Sequence, residues 1–94
     1  MKTQIYTIFD SKGEMYNQPF FQRNLSVAIR TFTTLANDEK GQIAQYPEDY
    51  FLYHIAEWDD VAGTITNLAQ PVSCGKALDF VKKESQLSML EENK

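Results

Sequence analysis

Residues 24–36, NLSVAIRTFTTLA, decide the fold because they predict an amphipathic helix. Apolar side chains recur there at the i, i+3, i+4 and i+7 spacing of one helical face. These side chains belong to Leu25, Ala28, Ile29, Phe32, Leu35 and Ala36. Asn24 is a good N-cap, and 38–41, which ends in a glycine, provides the stop. A helix with a single apolar stripe must bury it, so we expect this helix to pack on a sheet.

The chain before the helix predicts a β-hairpin. Lys2 to Phe9 is dense in β-branched and aromatic residues, and the turn cluster Asp10 to Gly13 follows. The next run, Glu14 to Phe21, should return beside the first strand. Because Pro19 cannot donate to a strand ladder, the second strand should lie at an edge or end near that residue.

The chain after the helix predicts two more strands. A loop over 38–47 leads into Tyr50 to Trp58, which carries apolar side chains on both faces. Such a run suits a central strand that is covered on both sides, or one whose second face meets a partner. The turn DDVAG then leads into a short strand from Thr64 to Leu68.

A short helix is expected near the C-terminus. Ser73 is a possible N-cap, and Ala77, Leu78 and Val81 follow at helical spacing, although Gly75 in the first turn disfavours a helix. The predicted fold class is therefore α+β, in ββαββ order, with a small antiparallel sheet, one main amphipathic helix and a short C-terminal helix. The expected core is Ile5, Ile8, Ala28, Ile29, Phe32, Leu35, Leu52 and Ile55.

Length and composition predict one domain. The 94 residues are 43% hydrophobic, with a net charge of −4, which fits a single globular domain over 1–81 and a polar C-terminal tail over 82–94. The lone Cys74 cannot form an internal disulfide, which favours a reducing compartment. No apolar run is long enough for a membrane helix, and the first residues turn polar too soon for a signal peptide. We expect a soluble, intracellular protein without membrane partners.

Few residues are suited to catalysis or metal binding. His54 is the only histidine and Cys74 the only thiol, and neither lies in a hydrolase or zinc signature. The acidic clusters Glu48–Asp49 and Glu57–Asp60 lack the alternating ligands and glycine of a calcium loop. The sequence therefore predicts no enzyme activity, no catalytic or metal-binding residue and no cofactor.

Two basic groups are the candidates for nucleic-acid binding. Arg23 and Arg30 are seven residues apart, which would place both on the polar face of the helix, and Lys76, Lys82 and Lys83 lie near the C-terminal helix. Single strands are commonly held by aromatic stacking inside a basic groove. However, the chain is acidic overall, and most aromatics, such as Phe32 and those of 50–58, are expected in the core. Composition alone thus does not establish DNA binding.

Several separated blocks resemble one viral family in order: IYTIFDSKGEMYNQPFF (5–21), AIRTF (28–32), YPEDY (46–50), FLYHIAEWDDVAGTI (51–65) and QPVSCGKALDF (70–80). Together they resemble the small non-structural protein of the gokushoviruses, a group of microviruses that infect bacteria and carry single-stranded DNA. The resemblance covers about residues 3 to 81. It implies a DNA-binding protein, similar in role to the C protein of other microviruses, that acts when replication switches to making and packaging single strands. It transfers no site residue.

Two hypotheses follow from the residues and the resemblance. The first is a non-enzymatic phage protein of the host cytoplasm that binds DNA, preferably single-stranded, during genome replication or packaging. Its sign would be the arginine pair lying beside exposed aromatic rings. The alternative is an interaction factor that contacts the replication initiator, a host replication protein or the procapsid, marked by an exposed apolar patch. The doubly apolar strand also predicts a homodimer or larger homo-oligomer.

Overall fold

The computed structural model describes residues 1–82, which form a curled antiparallel sheet with one main helix. The strands are β1 (Lys2–Asp10), β2 (Met15–Tyr16), β3 (Phe20–Gln22), β4 (Tyr50–Asp59) and β5 (Thr64–Lys76). The helices are α1 (Leu25–Ala36) and α2 (Gln42–Gln45), and 3₁₀ turns cover Pro47–Asp49 and Ala77–Phe80. The predicted mixture of antiparallel strands and one main helix is thus confirmed, with five strands in place of four. No helix of these residues is long and apolar enough to cross a membrane.

The sheet places β1 and β4 at its centre. β1 pairs with β4 on one side and with both β2 and β3 on the other, and β5 pairs with β4 to form the second edge. The central position predicted for the strand from Tyr50 is confirmed.

The hairpin at the start of the chain turns through a local polar contact. Asp10 Oδ1 accepts hydrogen bonds of 3.0 Å from the backbone N–H groups of Lys12 and Gly13, which reverses the chain after β1. The return strand is not the continuous run expected over Glu14 to Phe21. The segment Asn17–Pro19 interrupts it, because proline cannot join the ladder, and leaves β2 and β3 as separate pieces of the predicted edge strand.

Helix α1 begins and packs as the sequence predicts. The Asn24 side chain accepts a hydrogen bond from Val27 N, and Ala28, Phe32 and Ala36 are buried at successive turns. They pack with Tyr6 and Ile8 of β1, Tyr50 and Leu52 of β4, and Ala77. The helix ends at Asn37, whose side-chain amide donates to the carbonyls of Thr33 and Phe80. Gly41 does not end α1. It begins α2, so the expected loop over 38–47 contains a short helix.

The core agrees in most positions with the expected set. Ile5, Ile8, Ala28, Phe32 and Leu52 are buried as predicted. Ile29 and Leu35 are partly buried and pack against the cluster between the helix and the sheet, whereas Ile55 was wrongly expected there, because it is partly buried outside that cluster. Ile5 lies outside the cluster under α1, since it alternates with Tyr6 and faces the other side of the sheet.

The largest error concerns the C-terminal part of the fold. β5 continues through Ser73 to Lys76, so the predicted strand from Thr64 to Leu68 is too short and no helix begins at Ser73. A bulge divides β5, because the four residues 68–71 lie opposite Ile55 alone. A four-residue 3₁₀ turn replaces the expected short C-terminal helix. The predicted tail over 82–94 lies, apart from Lys82, outside the described residues.

Candidate nucleic-acid interface

The two faces of the sheet differ in what covers them. Strand side chains alternate between faces, and Tyr6, Ile8, Tyr50 and Leu52 pack against α1. The intervening residues therefore point to the opposite side, which no helix of the described residues covers. We call this side the open face.

Aromatic side chains and one cation form a row across the open face. Tyr16 of β2 pairs with Phe9 of β1, Phe9 with Phe51 of β4, and Phe51 with Lys76 of β5. Paired residues in antiparallel strands project from the same face. The Lys76 ammonium lies 5.8 Å from the centroid of the Phe51 ring, within the range of a cation–π contact.

Three rings on the open face contact one another and form what we call the aromatic triad: Phe9, Tyr16 and Tyr53. The ring centroids are 4.6 Å apart for Phe9 and Tyr16, 5.9 Å for Tyr16 and Tyr53, and 6.2 Å for Phe9 and Tyr53. These tilted and edge-on geometries are favourable for aromatic pairs. Tyr16 remains 51% exposed, whereas Phe9 and Tyr53 are partly buried, so Tyr16 is the most accessible ring of the triad.

Further apolar side chains lie on the open face beside the triad. An almost wholly apolar groove of about 230 Å³ runs beside the triad and is lined by Thr7, Tyr16, Asn17, Pro19, Ile55 and Pro71. Towards the β4–β5 turn, Trp58 pairs with Ile65, and Phe21 pairs with Ile5. Ile65 and Phe21 are more than half exposed. Exposed apolar side chains, Phe21 and Ile65, thus lie on the open face.

The structure separates the cations that the sequence grouped. Arg23 precedes the Asn24 cap and lies outside α1, so the expectation that it shares a helical face with Arg30 was wrong. Arg23 borders a groove with Tyr6 and His54, whereas Arg30 borders another groove with Lys82. Both grooves contain residues of α1 or its cap, so the predicted arginine pair does not lie beside the exposed aromatic triad.

Lys76 is the one candidate cation that the structure places on the open face, and Lys83 lies outside the described residues. Sequence reasoning identified Lys76 by charge but assigned Phe51 and Tyr53 to the core. The sequence did not show which residues pair with Phe51 and Tyr53, because the pairing of β4 with Lys76 depends on the unexpected length of β5. The alternation of Phe51 and Tyr53 with Leu52 was the available signal.

A polar network lies on the helix side of the sheet. The Gln4 amide nitrogen donates to Glu57 Oε2 at 3.0 Å, which leaves the amide oxygen to accept from His54 Nε2 at 2.7 Å. The bond from Gln4, assisted by Lys2, lowers the pKa of Glu57. Burial raises the pKa of the nearby Cys74 thiol, which is the reverse of what activates a cysteine nucleophile. Through its bond to Gln4, His54 has a hydrogen-bonding role in this fold.

The fold and the open face together define a small α+β protein whose sheet has one helix-covered face and one exposed aromatic face. The family model described as Phage ORF5 protein matches residues 3–80, so the chain belongs to this family of phage proteins. No curated protein and no solved structure shows significant similarity to the chain.

Proposed function

We propose that this phage protein binds single-stranded DNA through its open face, in the host cytoplasm, during replication or packaging of the viral genome. The observation that carries the proposal is the aromatic triad with its half-exposed Tyr16, which lies in one row with Phe51 and Lys76. Unpaired bases stack on such rings without regard to sequence, and a cation at the end of the row can meet a phosphate. The resemblance to the gokushovirus non-structural protein supports the same role.

The role of the aromatic triad in DNA binding is tested by replacing two of its rings. Tyr16→Ala with Tyr53→Ala should weaken binding of an oligo-dT strand, because each lost base stack is worth about 1–3 kcal/mol. Fluorescence anisotropy at several salt concentrations measures the affinity. Tyr46→Ala is the matched control, since Tyr46 is also about half exposed but lies beside α2. Equal affinities for the double variant and the control would show that the open face does not bind DNA.

The salt dependence of the same titration counts phosphate contacts. Lys76→Gln should flatten the logarithmic salt slope by about 0.7, the value for one contact with a single strand. Arg23→Ala with Arg30→Ala should flatten it by about 1.4 if the strand also reaches the helix side. An unchanged slope in the arginine variant would confine the phosphate contacts to the open face.

A second candidate function is contact with a protein, such as the replication initiator, a host replication protein or the procapsid. The observation that favours it is the apolar pair Trp58 and Ile65, which lies outside the triad and in which Ile65 is more than half exposed. Trp58→Ala should then abolish co-purification of such a partner from nuclease-treated phage-infected cells while the affinity for oligo-dT is retained. Loss of DNA affinity alone would reject this candidate.

The proposal includes self-association through the free edge of β5. The residues of 64–73 carry no charge, and charges are a common device that keeps exposed edges apart. We expect sedimentation to show a dimer or larger assembly at tens of micromolar, roughly the range of weak dimers. Ile65→Lys should yield a monomer, whereas Thr34→Lys on the exposed side of α1 should not. A monomeric parent protein at that concentration would contradict the expectation.

A further inference from the structure

The helix side of the sheet contains a second site, at the N-terminal end of α1. A groove of about 560 Å³ lies between the start of the helix and β5. Arg23 and Leu25 border it on one side, Val72 and Cys74 on the other, and Tyr6 and His54 also line it. Leu25 and Val72 are each about half exposed, so apolar surface is accessible on both sides of the groove.

Arg23 is the one Lys, Arg, Asp or Glu residue among those that line the groove. None of the residues that line it is acidic, although the chain has 13 Asp and Glu residues. Arg23 forms no ion pair within residues 1–82. By contrast, the groove at the other end of α1 includes Asp38 beside Arg30, and the groove near α2 includes Asp10 and Asp49.

The helix end adds donors to this positive charge. The Asn24 side chain accepts only from Val27 N, so the N–H groups of Leu25 and Ser26 have no partner within the described residues. Free N–H groups at the start of a twelve-residue helix, together with the positive end of its dipole, attract anions.

An unpartnered hydroxyl gives independent evidence for a ligand. Tyr6 is 1% exposed, and its hydroxyl makes no hydrogen bond within residues 1–82. Every fully buried side-chain nitrogen or oxygen in these residues has a partner, so the Tyr6 hydroxyl keeps some contact with solvent, and the Tyr6 side chain lines the groove. A tyrosine hydroxyl is a donor at neutral pH, and burial raises the pKa of this one further.

We propose that this groove binds the phosphate group of a nucleotide, held by Arg23, the free N–H groups of α1 and the Tyr6 hydroxyl. The apolar walls at Leu25 and Val72 accommodate the sugar or base, and a groove of this volume is within the range of small-ligand sites. The site is separate from the open face, since Tyr6 projects to the opposite side of the sheet. It does not require the proposed DNA binding by the triad.

The first experiment titrates isotope-labelled protein with inorganic phosphate and with thymidine monophosphate at low salt, followed by NMR. We expect saturable shifts of the Arg23, Leu25 and Ser26 amides. Arg23→Gln and Tyr6→Phe should each weaken binding about tenfold, which corresponds to one hydrogen bond to a charged group. Lys40→Gln is the control, because it removes the same charge from an exposed residue outside the groove.

A strand phosphate is distinguished from a free phosphate by a third probe, an oligo-dT strand without terminal phosphates. If this strand shifts the same amides in an Arg23-dependent way, the groove binds phosphates within DNA. If only inorganic phosphate and the mononucleotide do so, it binds free or terminal phosphates. In either case, the double variant Tyr16→Ala with Tyr53→Ala should show the same amide shifts as the parent protein. That result would separate this site from the open face. Absent shifts, or equal weakening by Arg23→Gln and Lys40→Gln, would overturn the proposal.

Discussion

Phe32→Ala is expected to destabilise the protein by about 3–5 kcal/mol. Phe32 has no exposed surface and lies at the centre of the cluster between α1 and the sheet. Its ring also meets the edge of Phe80, with centroids 5.8 Å apart, which ties the C-terminal turn to the helix. The loss is a large part of the roughly 5–15 kcal/mol that stabilises a native domain.

Urea unfolding followed by circular dichroism measures this change. The midpoint should fall markedly for Phe32→Ala, whereas Thr34→Ala, two residues along on the exposed side of α1, should change it little. A midpoint for Phe32→Ala that matches the Thr34 variant would refute the packing of α1 on the sheet.

Helix α1 was predictable because all its signals are local. Its cap, its apolar period and its buried face lie within residues 24–36, and tertiary contacts only confirm them. The first strand was predictable for the same reason, from the density of β-branched and aromatic residues.

The C-terminal strand was missed because its local signals conflict with its tertiary contacts. Ser73, Ala77 and Val81 have the spacing of a helix start, but the chain from Thr64 lies along the free edge of β4 and continues there to Lys76. Pairing with a ten-residue central strand outweighs a weak helical pattern. The bulge over 68–71 also hides the strand, since it contains Pro71 and interrupts the alternation of side chains.

The candidate site was predictable only in part, for a related reason. Arg23 and Arg30 have helical spacing, but the Asn24 cap places Arg23 before the helix. Spacing alone therefore wrongly predicted that the two arginines share a helical face. The open-face row depends on four strands, and no local pattern shows that Tyr16, Phe9, Phe51 and Lys76 lie side by side. The sequence shows which residues are cations, whereas the register of the paired strands decides which of these cations lie beside the aromatic rings.

Gly75→Ala should destabilise the protein by about 2–6 kcal/mol, and the sign of the change tests the corrected fold. Gly75 has a φ of +136°, which residues with a side chain rarely adopt, and strain of this kind costs about 1–3 kcal/mol. A Cβ at this position would lie 2.7 Å from Cε2 and 2.9 Å from Cζ of Phe80. Displacing that ring from the core adds about 1–3 kcal/mol of overpacking.

Gly63→Ala separates the two causes, because Gly63 also has a positive φ, +70°, but a Cβ there meets nothing within 4 Å. We therefore expect a smaller loss for Gly63→Ala than for Gly75→Ala in the same unfolding experiment. A helix beginning at Ser73 would give the opposite sign at Gly75, since replacing glycine by alanine inside a helix stabilises by about 1 kcal/mol. A stabilised Gly75→Ala variant would thus restore the C-terminal helix and remove Lys76 from the end of the open-face row, whereas a destabilised one supports the strand that places it there.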